Sequence, residues 1–215
     1  MRVIVAGGHG KIAMHLHPLL VARGDEVRAL IRNPDQADDV RAAGAEPVYC
    51  DLEAEEDVAA AIGGGEAIVF AAGAGPGSGA ERKRTMDLGG ALKLIAAAKT
   101  CGISRYVIVS AMGADSPPPE GEGDVFGEYL RAKAEADRAL AESGLDYTIV
   151  RPGGLTDDDP TGLVALGDDV ERGQIPRADV AAVIASSLHT DGTVGKAFEV
   201  VSGETPIGEA ISGLR

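Results

Sequence analysis

The chain alternates short runs of β-branched and other apolar residues with longer stretches in which apolar residues recur at helical spacing. This alternation is typical of β-α-β units, in which helices cover both faces of a parallel sheet. The predicted strands are Arg2–Ala6, Glu26–Ile31, Glu46–Cys50, Ala67–Ala71, Arg105–Ser110, Tyr147–Arg151 and Ala197–Val201. The predicted helices are Lys11–Arg23, Pro34–Ala43, Glu53–Ile62, Arg82–Cys101, Phe126–Ser143 and Arg177–His189.

These elements predict an α/β fold, namely a Rossmann-like, doubly wound parallel sheet of about seven strands with helices on both faces. Ligands are expected at the carboxyl ends of the strands, near the point where the strand order reverses. No shift in composition divides the chain, so residues 1–215 are expected to form one domain. Residues 155–176 and 203–215 are predicted to add a small substrate-side cap, with an extra short strand at Leu163–Leu166.

A glycine-rich turn follows the first predicted strand and leads into the first predicted helix. Its sequence, Gly7-Gly8-His9-Gly10-Lys11-Ile12-Ala13, has the Gly-x-x-Gly-x-x-Ala spacing of a dinucleotide-binding turn. Gly7 permits the tight turn, and Gly10 lets a diphosphate approach the backbone at the helix N-terminus. We therefore assign Gly7, His9, Gly10, Lys11 and Ile12 to a cofactor site, the alternative being a purely structural turn.

The residue after the second predicted strand bears on which dinucleotide binds. Enzymes that use NAD usually carry Asp or Glu there, which accepts hydrogen bonds from the ribose 2′-hydroxyl. This chain has Arg32, whose guanidinium suits a 2′-phosphate. The sequence favours NADP (NADPH) over NAD, and the alternative is that Arg32 only extends from a strand end into solvent.

Two further strand ends carry residues that suit a bound dinucleotide. Asp51 and Leu52 follow the third strand, where the carboxylate would lie beside adenine or would instead cap a helix. The small residues Ala71, Ala72 and Gly73 at the end of the fourth strand would leave room for the cofactor. The loops Ala74–Ala80 and Gly113–Asp124 are predicted either to border this site or to be plain linkers.

A tyrosine and a lysine lie four residues apart on one face of a predicted helix. These are Tyr129 and Lys133, and Ser110 ends the fifth strand. The ammonium is expected to lower the pKa of Tyr129, so that its hydroxyl exchanges a proton with a substrate oxygen that Ser110 also binds. These three are the predicted catalytic residues. The alternative is that Tyr129 packs at a helix start while Lys133 is solvated.

Charge and composition narrow the expected partners. The chain has 34 acidic and 20 basic residues and a net charge of −14, which disfavours nucleic acid and anionic membranes. No apolar run of 18 residues and no signal-peptide pattern is present, so a cytoplasmic location is expected. The two cysteines, expected to be buried, and the four histidines lack metal-ligand spacing, so no metal is predicted. A small-molecule substrate is the expected partner.

Together these motifs resemble the short-chain dehydrogenase/reductase superfamily, in particular its compact atypical branch related to biliverdin IX-beta reductase (flavin reductase) and NmrA-like proteins. The resemblance covers nearly the whole chain. The segments that carry it are Val5–Ile12, Arg32–Pro34, Asp51–Leu52, Val107–Gly113, Tyr129–Lys133, Ser143–Leu155 and Ile175–Ala181. It implies that Pro152 and Gly153 line the cofactor and that Lys133 binds the nicotinamide ribose. Ala111 follows Ser110 where many relatives carry a second serine.

The function expected from the resemblance is an NADPH-dependent oxidoreductase that transfers hydride to a small carbonyl, quinone or flavin-like acceptor. The alternative is a non-catalytic NADP-binding redox sensor, as in NmrA-like regulators. A nucleotide-sugar epimerase or dehydratase is less favoured, because only about 60 residues follow Arg151. In many relatives the helices matching Arg82–Cys101 and Phe126–Ser143 form dimer faces, which makes a homodimer possible.

Overall fold

Eleven strands are present in the computed structural model, which describes residues 1–75, 77–119 and 125–214. They are β1 (Arg2–Ala6), β2 (Glu26–Ile31), β3 (Glu46–Tyr49), β4 (Ala67–Phe70), β5 (Arg105–Val109), β6 (Asp146–Pro152), β7 (Gly154–Thr156), β8 (Leu163–Gly167), β9 (Gln174–Pro176), β10 (Lys196–Ser202) and β11 (Thr205–Pro206). Nine of these described strands form one sheet in the order β11-β8-β10-β6-β5-β4-β1-β2-β3, and β7 pairs with β9 in a small separate sheet.

The helices lie between the strands, as the alternating pattern predicts. They are α1 (Lys11–Ala22), α2 (Ala37–Ala42), α3 (Ala59–Ile62), α4 (Ala80–Arg82), α5 (Ala91–Cys101), α6 (Val125–Ala141), α7 (Arg177–Leu188) and α8 (Ile207–Ser212). A π-helical segment, Lys83–Gly90, joins α4 to α5. Short 3-10 helices occupy Pro34–Gln36 and Asp191–Thr193. Across the described residues, no helix is both long and apolar enough to cross a bilayer.

The predicted doubly wound α/β fold is confirmed, but the sheet has more strands than predicted. The seven predicted strands correspond to β1–β6 and β10, which pair in parallel. β8 contains the extra strand predicted for the cap and extends it to Gly167, but it joins the main sheet, pairing antiparallel with β10, and β11 pairs antiparallel with β8. These additions cover the edge of β10, which would otherwise expose unpaired backbone groups.

Apolar side chains pack on both faces of the parallel strands. In β1, Val3 and Val5 contribute to the core shared with α1 and α7, whereas Ile4 contributes to the core shared with α5 and α6. All three side chains are fully buried. Strands buried on both faces read as continuous apolar runs, which is why the pattern identified them. The strand order reverses at the β1–β4 pair, and this crevice is where the fold favours a ligand.

The predicted helix Glu53–Ile62 is wrong over most of its length. Only Ala59–Ile62 is helical, and residues 51–58 form turns and irregular backbone. The Glu53 backbone N–H donates to Asp51 Oδ1 at 2.9 Å, and the Asp51 N–H donates to Glu55 Oε1 at 2.9 Å. Aspartate and glutamate side chains that bond nearby backbone compete with helix formation, so the acidic residues close turns here.

Part of the second predicted loop, residues 120–124, lies outside the described residues, as does residue 76 of the first. Both cysteines are free; Cys50 is buried, but Cys101 is half-buried, contrary to expectation. No group of three or more His, Cys, Asp or Glu residues in the described ranges is arranged to hold a metal ion.

Candidate functional site

Two adjoining cavities lie at the carboxyl ends of the central strands. The first cavity has a volume of about 250 Å³, the second has about 410 Å³, and both are lined by Ala71, Ala72 and Gly73. Predicted cofactor residues that line the first cavity are Gly7, His9, Gly10, Arg32, Asp51, Leu52, Ala71, Ala72 and Gly73. The second cavity brings together the predicted residues Lys11, Ile12, Ser110, Tyr129 and Lys133. Residues that follow five strands, β1 to β5, therefore line these two adjoining cavities.

The glycine turn lies directly against the neighbouring strands. Gly7 has φ +74°, and a Cβ atom there would lie 2.6 Å from the Ala72 Cα atom. A Cβ on Gly8 would lie 2.6 Å from the Ala29 Cβ atom. The Gly10 N–H donates to Gly7 O at 2.7 Å, which closes the turn. Only glycine fits these positions, so the wall of the first cavity is bare backbone.

The N-terminus of α1 opens beside this bare backbone. Gly10 precedes α1 and supplies no side-chain cap within the described structure, and the first turn carries no acidic residue. The first N–H groups of a helix lack intrahelical partners, and the helix dipole favours an anion there. The arrangement suits a phosphate group.

A buried histidine on α1 forms a hydrogen bond with the backbone of the glycine turn. His17 Nε2 lies 2.6 Å from Gly8 O, and burial lowers the pKa of His17, which favours a neutral imidazole. A neutral ring bonded to a carbonyl oxygen must carry its proton on Nε2. His17 Nδ1 then has no hydrogen-bond partner in the described part of the chain.

Two guanidinium groups share one carboxylate at the edge of the first cavity. Arg32 Nη1 lies 3.3 Å and Arg82 Nη2 lies 3.0 Å from Glu53 Oε2. Thr85 Oγ1 donates to Glu53 Oε1 at 2.9 Å. The hydrogen bond from Arg82, against the effect of burial, holds the pKa of Glu53 below its usual value. Arg32, whose side chain is 51% exposed, is thus paired with Glu53, and Arg82 supplies a second cation that sequence reasoning missed.

The third strand contributes Cys50 and Asp51 to the first cavity. Asp51 lines the cavity while its Oδ1 accepts the Glu53 N–H, so it fulfils the capping role in a turn and not in a helix. Burial, reinforced by the carboxylates of Glu55 and Asp51, raises the pKa of Cys50 to about 11. The thiol is therefore protonated at neutral pH and is no nucleophile.

Lys133 is buried and paired at the base of the second cavity. Its Nζ donates to Val109 O at 3.0 Å and lies 3.2 Å from Asp87 Oδ1. Asp87 Oδ2 accepts the Ala74 N–H at 3.1 Å. Burial alone would lower the pKa of Lys133, but attraction from Tyr129 and Asp87 outweighs it, and the pKa is raised. The alternative of a solvated lysine is therefore wrong.

The predicted lowering of the Tyr129 pKa is also wrong. Burial of the ring raises the pKa of Tyr129, and the Lys133 ammonium opposes this without reversing it. The Lys133 and Lys83 Nζ atoms lie 5.8 and 5.1 Å from the centre of the Tyr129 ring. Desolvation penalises the phenolate more than the lysine stabilises it. Tyr129 is thus a neutral phenol, able to donate a proton.

Ser110 is held by a buried carboxylate on α6. Its Oγ donates to Asp137 Oδ2 at 2.9 Å, and the Arg151 Nε donates to the same oxygen at 3.0 Å. Burial raises the pKa of Asp137, and the Arg151 charge opposes the shift. With its proton donated to Asp137, Ser110 presents its oxygen lone pairs to the second cavity. Its oxygen can therefore accept a hydrogen bond, whereas its proton is not available to the substrate oxygen that the sequence analysis expected Ser110 to bind.

Known proteins are similar to this chain over most or all of its length. A family described as NAD(P)H-binding matches residues 7–191. The chain belongs to this NAD(P)H-binding family. It is 41% identical over 216 residues to YhfK of Bacillus subtilis (strain 168), which is named as an uncharacterized sugar epimerase, and the match covers 100% of both chains.

Solved structures agree with the family. A Bacillus halodurans protein described as a candidate NAD-dependent epimerase/dehydratase has a TM-score of 0.93 and 41% identity, with 100% of both chains covered. ChuY, an anaerobillin reductase from Escherichia coli O157:H7, has a TM-score of 0.79 and 29% identity, covering 94% of this chain and 97% of its own. The resemblance to the compact atypical dehydrogenase/reductase group is confirmed at the level of this NAD(P)H-binding fold.

The described residues fit the dinucleotide that the family binds. Gly7 and Gly8 have no Cβ, which lets the turn lie against Ala72 and Ala29, and the uncapped α1 N-terminus lies beside this turn. Arg32 and Arg82 line the same cavity as this turn and provide cations there. The first cavity is therefore lined by the glycine-turn backbone and two guanidinium groups and lies beside the N-terminus of α1. Each of these can bind a phosphate group, so the cavity suits a molecule that carries several phosphates.

Two residues predicted from the family resemblance line neither cavity. Pro152 O accepts the Met112 N–H at 3.0 Å, and the Gly153 N–H donates to Val200 O at 2.9 Å. These bonds hold the segment after β6 to β10 and to the loop after β5. Leu155, two residues farther along, lines the second cavity in their place. Cofactor contacts by Pro152 and Gly153 stay a prediction.

Proposed function

We propose that this member of the NAD(P)H-binding family is an NADPH-dependent oxidoreductase that reduces a small carbonyl, quinone or flavin-like acceptor. The observation that carries the proposal is the junction of the two cavities. Ala71, Ala72 and Gly73 join a cavity suited to a dinucleotide to one that contains a neutral, half-buried tyrosine. A reduced nicotinamide bound there would supply the hydride.

In this proposal, the residues of the second cavity supply the proton and bind the acceptor. Tyr129 donates a proton to the acceptor oxygen, which its raised pKa permits because the phenol stays protonated. The Lys133 ammonium lies beside the ring and stabilises the phenolate that proton donation leaves. Asp87 and Val109 O hold this ammonium in place. Ser110 accepts a hydrogen bond from a donor group on the ligand.

Replacing Tyr129 by phenylalanine tests the proton donor. Tyr129→Phe should lower kcat about 100-fold or more, because general acid catalysis contributes at least this much. The NADPH Kd should stay near the wild-type value, since the ring keeps its packing. Steady-state kinetics and calorimetry provide the two readouts, and Tyr49→Phe, exposed and outside both cavities, is the matched control. Wild-type turnover by Tyr129→Phe would remove this residue from the mechanism.

Cofactor preference is tested at the two guanidinium groups. Arg32→Gln and Arg82→Gln should each weaken NADPH binding about tenfold, since a charge-assisted pair with the 2′-phosphate is lost. Their effect on NADH should be small. Titration calorimetry measures both cofactors, and Arg41→Gln on exposed α2 is the control. Tighter binding of NADH than NADPH by the wild-type protein would contradict the preference for NADP.

A non-catalytic NADP sensor is the second candidate. It is favoured by the internal bonds of the second cavity, where Ser110 is bonded to Asp137 and Lys133 to Asp87 and Val109 O. The absorbance of reduced nicotinamide, followed with a panel of aldehydes, quinones and flavins, separates the two candidates. Oxidation with any acceptor supports the reductase. Tight NADPH binding without oxidation across the panel supports the sensor.

A further inference from the structure

Cations gather around the second cavity although the protein has a net charge of −14. Lys11, Lys83 and Arg177 line this cavity together with the buried Lys133. The one acidic residue among its described lining residues, Asp87, already pairs with Lys133. Three further cations line this wall and only one carboxylate, the exposed Asp157, pairs with two of them, so the wall keeps a positive charge. A cleft of one sign attracts ligands of the other.

The carboxylate of Asp157 pairs with two of these cations beside the cavity, which shows that an anionic group fits between them. Its Oδ2 lies 2.5 Å from Lys11 Nζ, and its Oδ1 lies 2.6 Å from Arg177 Nη1. The carboxylate is 59% exposed and follows β7, outside the cavity lining. The hydrogen bond from Lys11, aided by Arg177, keeps the pKa of Asp157 below its ordinary value. A carboxylate or phosphate on a ligand would find the same two cations.

Lys83 extends the cationic wall toward the proton donor. Its Nζ donates to Gly75 O at 2.9 Å and lies 5.1 Å from the centre of the Tyr129 ring. Apolar side chains of Ile12, Val109 and Leu155 line the same cavity. The cavity therefore combines an apolar surface with cations close to the phenol, which suits a ring system that bears a charged substituent.

We infer that the acceptor carries an anionic group, a carboxylate or a phosphate, which Arg177, Lys11 and Lys83 bind while its apolar body contacts Leu155 and Tyr129. The inference rests on the proposed function. Lys83, Arg177 and also Lys11, which the sequence analysis assigned to the cofactor, line the second cavity and not the first, where the proposed function locates the dinucleotide phosphates. Their charge therefore recognises the acceptor. Arginine is suited to this because its planar guanidinium binds carboxylate and phosphate with two hydrogen bonds.

Two pairs of compounds that differ in charge test the inference. FMN and riboflavin share one ring system and differ in a phosphate; 4-carboxybenzaldehyde and its methyl ester differ in a carboxylate. Titration calorimetry on protein saturated with NADP⁺ measures binding without turnover. In at least one pair, the anion should bind about tenfold tighter, and this preference should shrink as salt is raised. The pair that shows the preference distinguishes phosphate from carboxylate.

Single-residue variants show which side chains cause the preference for the anionic compound. Arg177→Gln and Lys83→Gln should each reduce the affinity for the anion towards that of its neutral partner while leaving the neutral compound unaffected. Lys99→Gln on the exposed side of α5 is the control. Asp157→Asn removes the competing carboxylate and should strengthen binding of the anion, which tests the site without deleting a cation. Thermal melting verifies that each variant is folded.

The failures are distinguishable. Equal affinity within both pairs, or no binding of any of the four compounds to the NADP⁺-saturated protein, overturns the inference and leaves the proposed cofactor site intact. An anion preference that persists in Arg177→Gln and Lys83→Gln also overturns it. Absence of NADP⁺ and NADPH binding to the wild-type protein overturns the proposed function itself.

Discussion

Burial decides the chemistry of the individual side chains at this site. Tyr129 and Lys133 have the spacing from which proton exchange was predicted, yet burial raises the pKa of the phenol where the ammonium was expected to lower it. The sequence analysis did not predict a role for Asp87 because no motif contains it. Only the fold brings Asp87 into contact with Lys133. Residue type and spacing thus predicted the participants, whereas desolvation keeps Tyr129 protonated and the paired Asp87 keeps Lys133 charged.

The Asp87–Lys133 pair allows a stability prediction. Asp87→Ala should destabilise the protein by about 3 kcal/mol, because it leaves the buried ammonium without its carboxylate. Asp87→Asn should cost less, since the amide oxygen can still accept a hydrogen bond. Urea unfolding at pH 7 measures both. A double variant, Asp87→Leu with Lys133→Met, should recover most of the loss, and wild-type stability of Asp87→Ala would show that the pair contributes little.

At the scale of elements, the helical stretch after β4 shows what a periodic pattern cannot reveal. The pattern predicted one helix, Arg82–Cys101, and the structure has α4, a π-helical segment at Lys83–Gly90 and α5. The π-helical segment carries Lys83 and Asp87 to the second cavity. π-helical turns occur often at functional sites, and here tertiary pairs with Glu53 and Lys133 fix this stretch.

The glycine turn yields a prediction with an internal control. Gly7 and Gly24 both have positive φ, but a Cβ on Gly7 would meet the Ala72 backbone at 2.6 Å, whereas nothing lies within 4 Å of one on Gly24. Gly24→Ala should cost about 1 kcal/mol from backbone strain. Gly7→Ala should cost about 3 kcal/mol, because the clash adds to that strain, and should weaken NADPH binding. Denaturant unfolding and calorimetry measure both effects; equal costs would refute the close approach.

At the scale of the whole molecule, charged contacts join distant parts of the chain. On the side opposite the cavities, Asp25 Oδ2 lies 2.7 Å from His189 Nε2, after α7, and Asp25 Oδ1 lies 2.8 Å from the Met1 amine. Burial opposes ionisation of Asp25, but these two partners outweigh it and lower its pKa. The contact links the start of β2 to the end of α7.

This contact gives a pH dependence with a definite sign. Because the pKa of Asp25 is lower in the folded state, its contribution is present above the ordinary aspartate pKa of about 3.9 and is lost as pH falls through the folded value. Asp25→Asn should therefore lower Tm at pH 7 and have a much smaller effect near pH 2. Asp38→Asn, at an exposed ion pair with Arg41, is the control. An equal loss at both pH values would contradict the linkage.

The sequence by itself determined the parallel strands, the glycine turn, Arg32 and the pair Tyr129 and Lys133, because continuous apolar runs, missing side chains and four-residue spacing are local properties. Only the tertiary structure decided that Glu53 pairs with both Arg32 and Arg82, and that β8 extends the main sheet. It also decided that Asp87 pairs with Lys133 and that Asp137 accepts a hydrogen bond from Ser110. The meeting of Lys11, Lys83 and Arg177 at one cavity likewise depends on the fold. The physical reason is that pairing and desolvation depend on distances across the fold, between residues whose separation along the chain carries no periodic signal.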